Sequence, residues 1–184
     1  MSKQRRVAQA IAKQARRVPR RHSPSEMTYG RALYELRRDG CLPEGFDQWY
    51  LADKSGRTVA HEAAERGLLP EGFDRWELAN RDGWTVAHEA AEHGNLPPSF
   101  DQWDLVDVYG RPVALVAAHS GHLSEGFSRW GLADGYGETV AHAAAHCGCL
   151  PPSFNRWDLA GLSGLAADEA TNSLAEKAVS HVAA

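Results

Sequence analysis

The residues best suited to chemistry in this 184-residue chain are histidines, glutamates and cysteines in two short runs. The first reads His88-Glu89-Ala90-Ala91-Glu92-His93. A helical H-E-x-x-H pair holds zinc because imidazoles four residues apart share one helical face. Here the histidines are five apart, roughly 140° out of register on a helix of about 3.6 residues per turn. The second run puts His142 and His146 four apart, with Cys147 and Cys149 beside them. These are zinc-ligand types, but His142 belongs to a recurring column and the other three fall where the pattern varies. No base stands at a telling spacing from a cysteine, and no phosphate loop, nucleophile elbow or paired-carboxylate site is visible. The expectation is a chain that is not an enzyme, with no metal, no cofactor and no small-molecule substrate.

Charge is the third chemical feature. The formal net charge of −4 conceals a split, because residues 1–25 hold eight Lys or Arg and no acid. Residues 26–184 hold twelve Lys or Arg against all 24 Asp and Glu. In the basic arm, Val7, Ile11, Ala15 and Val18 form a stripe at helical spacing. Arg5, Arg6, Lys13, Arg16, Arg17, Arg20 and Arg21 cover much of the rest, and Pro19 ends the pattern. Such an arm could contact nucleic-acid phosphates, although it offers no aromatic for base stacking. Val and Ala are poor membrane anchors, so no membrane partner is expected. The remaining reading is docking, on the first repeat, on the acidic body or on a protein partner.

The elements that position these residues follow from a repeat. Tryptophan stands at 49, 76, 103, 130 and 157, a constant step of 27. Phe46, Phe73, Phe100, Phe127 and Phe154 keep that step, as do glycines at 40, 67, 94, 121 and 148 and at 56, 83, 110, 137 and 164. Leucine follows at 42, 69, 96, 123 and 150. A fixed period of this length makes a quasi-linear stack, in which each unit buries its aromatics against its neighbours. In the unit Asp53–Asn80, Thr58–Arg66 lacks Gly and Pro and is rich in Ala and Glu, so it predicts a short helix ended by Gly67. Pro70 restarts the chain, and Phe73 and Trp76, three apart, predict a second, shorter helix or 3₁₀ turn. Asp53 and Asn80 with Gly56 and Gly83 mark polar tips.

The fold class expected is all-α: a repeat solenoid of five 27-residue helix–short helix units with N- and C-terminal capping helices. Residues 1–22 form the basic amphipathic arm, 23–164 the solenoid and 165–184 the C-terminal capping helix. Ser23-Pro24-Ser25-Glu26 reads as a capping box that starts a helix running to about Arg38. Leu174, Ala178 and Val182, four apart, give the final helix its apolar stripe. Three cysteines cannot make a paired framework, and no run of about 18 apolar residues exists. A cytoplasmic setting is the expectation.

The segments DKSGRTVAHEAA (Asp53–Ala64), NRDGWTVAHEAA (Asn80–Ala91) and DGYGETVAHAAA (Asp134–Ala145) resemble ankyrin repeats, which carry D-x-x-G-x-T-P-L-H-x-A-A. Thr58, Thr85 and Thr139 match the threonine, and His61, His88 and His142 the histidine. The third unit departs, with Pro112 and Leu115 in those places. The second half, LPEGFDRWELA, is similar instead to the leucine-rich variant repeat, where an α-helix alternates with a 3₁₀ helix. Either resemblance implies a helical solenoid, and the ankyrin one is favoured. It implies that the histidine bonds its own turn and a neighbouring unit's backbone. It also implies a protein-interaction scaffold whose partners meet the tips and the first helices.

Within one chain, columns that vary point to surface. The tip residues Lys54, Arg57, Arg81, Trp84, Tyr109, Arg111, Tyr136 and Glu138 are therefore the candidate partner-binding set. Trp, Tyr and Arg dominate binding hot spots; the competing reading packs these aromatics on adjacent tips. The first helices vary as Glu62, Glu89, Val116 and Ala143, acidic in two units and apolar in two. That face would suit a basic partner. The function expected is to hold or inhibit a macromolecule, in the first instance a protein; the alternative is a nucleic-acid-associated regulator working through the arm.

Overall fold

The structure is a computed structural model that describes residues 27–151 together with Phe154, Arg156 and Leu159. The basic arm at 1–22, the Ser23–Glu26 box and the C-terminal helix at 165–184 lie outside the described residues.

Among the described residues five helices follow one another: α1 (Tyr29–Asp39), α2 (Val59–Glu65), α3 (Val86–Glu92), α4 (Val113–His119) and α5 (Val140–His146). Each packs against the next in chain order, and among the described residues no other pair of helices meets. Among the described residues there are no strands, only four isolated antiparallel bridges, such as Ala52 to Thr58 and Ala79 to Thr85. The described chain is all-α. No helix in it is long and apolar enough to cross a membrane.

A seven-residue helix such as VAHEAAE is far too short to persist alone in water. Its neighbours hold it. Val59, Ala60, Ala63 and Ala64 of α2 are fully buried, as are Val86, Ala87, Ala90 and Ala91 of α3. Alanine suits these positions because it has the highest helix propensity and lets backbones approach on both sides. The unpaired amides of the first turn are met by the turn that precedes the helix. Val59 N–H donates to Leu51 O at 2.8 Å and Ala60 N–H to Trp49 O at 3.3 Å. At the other end Gly67, at φ +66°, takes the left-handed conformation that closes a helix. Asn95 from the following loop then donates its amide to Ala64 O at 2.8 Å.

Between helices runs the aromatic ladder. Phe46, Trp49, Phe73, Trp76, Phe100, Trp103, Phe127, Trp130 and Phe154 meet edge to face, with ring centroids 5.1–5.6 Å apart. Such pairs contribute about 1 kcal/mol each beyond the area they bury.

Of the two forms expected for the second element, a shorter helix or a 3₁₀ turn, the described units take the turn: Phe73 N–H donates to Pro70 O at 3.1 Å and Leu78 N–H to Arg75 O at 3.3 Å, and Leu159 of the fifth unit lies in a 3₁₀ turn on Arg156 O. Gly72 sits at φ +78°, a turn geometry that no helix contains. Where Pro98-Ser99 replaces Glu-Gly, the same turn closes, with Phe100 N–H on Pro97 O at 2.9 Å. One expectation is corrected, a helix running unbroken to about Arg38 from the Ser23 box: the first helix of the described residues begins at Tyr29, where Thr28 is extended and its side chain accepts from Arg31 N–H.

Candidate interaction surface

Each tip is an aspartate- or asparagine-built turn. Asp53 Oδ1 accepts from Ser55 N–H at 2.8 Å and Arg57 N–H at 3.1 Å, and Gly56 N–H closes on Asp53 O. Asn80, Asp107 and Asp134 repeat this arrangement. Neighbouring tips are stitched together through backbone, Arg81 N–H to Ser55 O and Val108 N–H to Asp82 O. Gly83, at φ +69°, is required there twice over. Its conformation is left-handed, and a Cβ would stand 2.8 Å from the Val108 nitrogen. The tips thus form one continuous edge.

Behind each tip lies the Thr–His pair. Thr58 N–H donates to His61 Nδ1 at 3.1 Å, so Nε2 carries the proton and donates to Trp84 O at 2.9 Å. His88 does the same with Thr85 and Arg111 O. Burial pushes the pKa of both imidazoles down, which keeps them neutral. His142 pairs with Thr139 on its own side. In α4, Pro112 and Leu115 replace both partners with apolar groups and are themselves buried.

The candidate partner-binding residues divide into two groups. Lys54, Arg81, Tyr109 and Tyr136 are exposed, Tyr136 at 88%. Arg57, Trp84, Arg111 and Glu138 are engaged within the chain. Arg57 holds both oxygens of Glu89 at 3.0 Å, and the Trp84 indole N–H donates to the same carboxylate at 3.0 Å. Trp84 also lies against the His88 ring, centroids 5.0 Å apart. Arg111 bonds Asp107 at 2.8 Å through Nε, and its guanidinium lies over both the Trp84 and Tyr109 rings, at 5.3 and 5.4 Å. Burial of Asp107 opposes its ionisation, but bonds from the Arg111 amide and side chain and the Tyr109 amide outweigh it and hold its pKa down. Glu138 stands 3.3 Å from His119 Nε2.

The acidic helix face read from Glu62 and Glu89 is not a surface. Both are buried and neutralised by the chain's own arginines. Arg37 bonds Glu62 at 2.8 and 3.1 Å and Arg66 adds a 3.0 Å bond. The Arg37 bond leads in holding the Glu62 pKa down.

Two exposed residues outside that set stand out, Val106 at 53% and Val108 at 62%. Val106 had a readable signal, because its column is otherwise alanine (Ala52, Ala79, Ala133). With Tyr109 and Tyr136 they make four of the six large hydrophobic side chains exposed among the described residues. All four belong to two adjacent tips, where Gly135 would put a Cβ 3.2 Å from Tyr109 O.

The two runs of metal-ligand types are drawn into other contacts among the described residues. His88 is turned inward to Thr85, so the His88–His93 pair never assembles. Glu89, Glu92 and His93 place ligand atoms within 4.8 Å of one another. Glu89, however, is saturated by Arg57 and Trp84, and His93 Nδ1 pairs with Glu89 O. Cys147 Sγ donates to His119 O and Cys149 Sγ to Cys147 O.

On the edge opposite the tips, grooves open between successive turn segments. One of about 660 Å³ lies between residues 69–76 and 95–102. Another of about 410 Å³ lies between the segments carrying Phe127 and Phe154. A comparison with protein-family models finds no match for this sequence, and a search of curated proteins finds none either.

Proposed function

We propose that the chain is a non-enzymatic interaction protein, an ankyrin-like solenoid of 27-residue units that holds or blocks another macromolecule, in the first instance a protein. The helices packed in chain order, the recurring Thr–His pairs and the hydrogen-bonded tips support the ankyrin-like reading. The observation that carries the binding reading is the apolar row Val106, Val108, Tyr109 and Tyr136 on two adjacent tips. Contiguous exposed apolar residues mark interaction sites, and tyrosine supplies a large contact area at low conformational cost. Arg111, held by Asp107 beneath the Tyr109 ring, presents that ring in one orientation before a partner arrives. Arg57 and Trp84 belong to the support behind the tips. Lys54 and Arg81 extend the edge as a charged rim.

The test is an affinity capture with full-length chain, nuclease-treated, against the Tyr109→Ala/Tyr136→Ala variant. A discrete protein retained by the wild type and weakened about a hundredfold by the double variant is expected, two hot-spot tyrosines at about 1–2 kcal/mol each. Equal retention by both chains would remove the tips from the function.

A further inference from the structure

The groove between residues 69–76 and 95–102 is lined by three carboxylates and by no arginine. Its floor is apolar, with Leu69, Phe73 and Phe100, and its rim carries Glu71, Asp74 and Asp101. In the column that reads Gln48, Arg75, Gln102, Arg129 and Arg156, each arginine reaches back to, or lines the groove with, the preceding unit. Arg75 donates to Asp47 O at 3.2 Å, Arg129 stands 3.3 Å from Asp104, and Arg156 lines the groove of about 410 Å³. Here the column residue is Gln102. Among the described residues no cation pairs with Glu71, Asp74 or Asp101. The equivalent of Asp74 in the later groove is Ser128. Of the two grooves this is the larger, and it sets three carboxylates with no arginine in its lining against one carboxylate, Glu125, beside Arg156 in the other.

We infer that the basic N-terminal segment of this same chain docks in this groove, its arginines replacing the arginine that position 102 lacks. Charge, shape and reach argue for it. The segment's Arg16, Arg17, Arg20 and Arg21 are complementary to the rim, and Val18 and Ile11 to the floor. Met27, the first described residue, is buried in the same cluster as Phe46. Only two ring-to-ring steps, of 5.1 and 5.6 Å, separate Phe46 from Phe73 in the groove. The six residues from Arg21 to Met27 span up to about 20 Å, which covers that distance. The docked arm would mask its own phosphate-binding potential, so nucleic acid would compete with the groove for it.

The experiment is limited trypsinolysis of the full-length chain in 50 mM salt, with cleavage after Arg16, Arg17 and Arg20 followed by mass spectrometry. A synthetic peptide of residues 1–25 sets the unprotected rate. Protection on the order of tenfold is expected, the scale of a few exposed ion pairs with some apolar contact, and it should vanish in 500 mM salt. Two variants carry the argument. Glu71→Gln/Asp74→Asn/Asp101→Asn removes the rim charge, and Gln102→Arg supplies the internal cation found at the other junctions. Both should return cleavage to the peptide rate while tryptophan fluorescence and helical circular dichroism stay native. Cleavage of the wild type at the peptide rate overturns the inference. So does protection that both variants retain, which would place the arm elsewhere. Protection lost on dilution would assign the groove's occupant to a second copy and overturn docking within one chain.

Discussion

Helices α3 and α4 have the same length and each packs between the helices before and after it, yet different chemistry holds them. In α3, Thr85 and His88 form a buried hydrogen-bonded pair that reaches Arg111 O, and Glu89 ties Arg57 and Trp84 together. In α4 the corresponding residues are Pro112, Leu115 and Val116, all buried and all without polar side-chain atoms. The first solution fixes direction: each donor has one acceptor, and the tip behind it is braced. The second relies on shape, and its tip carries the exposed Val106, Val108 and Tyr109. A buried polar pair and an apolar pair of similar shape can be nearly equivalent in net free energy, whereas half of either is costly.

That asymmetry yields the largest effect. Leu115→His alone places an imidazole where Pro112 offers neither hydroxyl nor amide, and it should destabilise by about 3 kcal/mol. Adding Pro112→Thr should recover most of that loss, since Glu138 O is then within the reach that Arg111 O has from His88. Urea denaturation of the single and double variants measures it, and a double variant no better than the single would show the two solutions are not interchangeable. The converse, His88→Leu, should cost about 2 kcal/mol by leaving the Thr85 amide unmet. Thr85→Pro/His88→Leu should cost less than the single change.

The same two helices show what could be read from residues alone. The 27-residue step gives the helices, their glycine ends and the aromatic ladder, because a ladder made of identical rings has one way to stack. The second half of the unit left two forms open: Pro70 is equally at home opening a helix and opening a turn, and the bond from Phe73 N–H to Pro70 O decides for the turn, as it does where Ser99 stands in place of the glycine. At the surface, comparing columns separates repeated positions from unrepeated ones, not buried from exposed. Trp84, Arg57 and Arg111 vary and are nonetheless engaged, through partners such as Glu89 that lie 32 residues from Arg57. Val106 was legible as a break in an alanine column, and its exposure was not.

Acidity should separate the polar from the apolar solution with a smaller effect. Burial lowers the pKa of His61 and His88 in the folded chain, so the unfolded chain binds protons first as pH falls. Their contribution to stability is full above about pH 6.5, the unperturbed histidine value, and is lost progressively as pH drops toward the folded pKa. Thermal unfolding followed from pH 7.5 to 5.5 should therefore show a falling midpoint. The Thr85→Pro/His88→Leu variant, with one buried imidazole fewer, should fall less steeply. An identical slope would mean that these histidines are not what acid attacks.

The smallest effect concerns the polar solution's outermost member. Arg37 is 56% exposed while its partner Glu62 is 4% exposed, and Arg66 bonds the same carboxylate. Arg37→Ala leaves Glu62 with one cation, and screening by solvent limits the loss to about 0.5–1 kcal/mol. Arg37→Ala/Arg66→Ala strips the buried carboxylate of both and should cost more than the two single changes summed, because an uncompensated buried charge carries its full desolvation penalty. Urea midpoints of the three variants at pH 7 decide it. Strict additivity would mean that water reaches Glu62 once either arginine leaves, and the polar junction would then be as tolerant of loss as the apolar one.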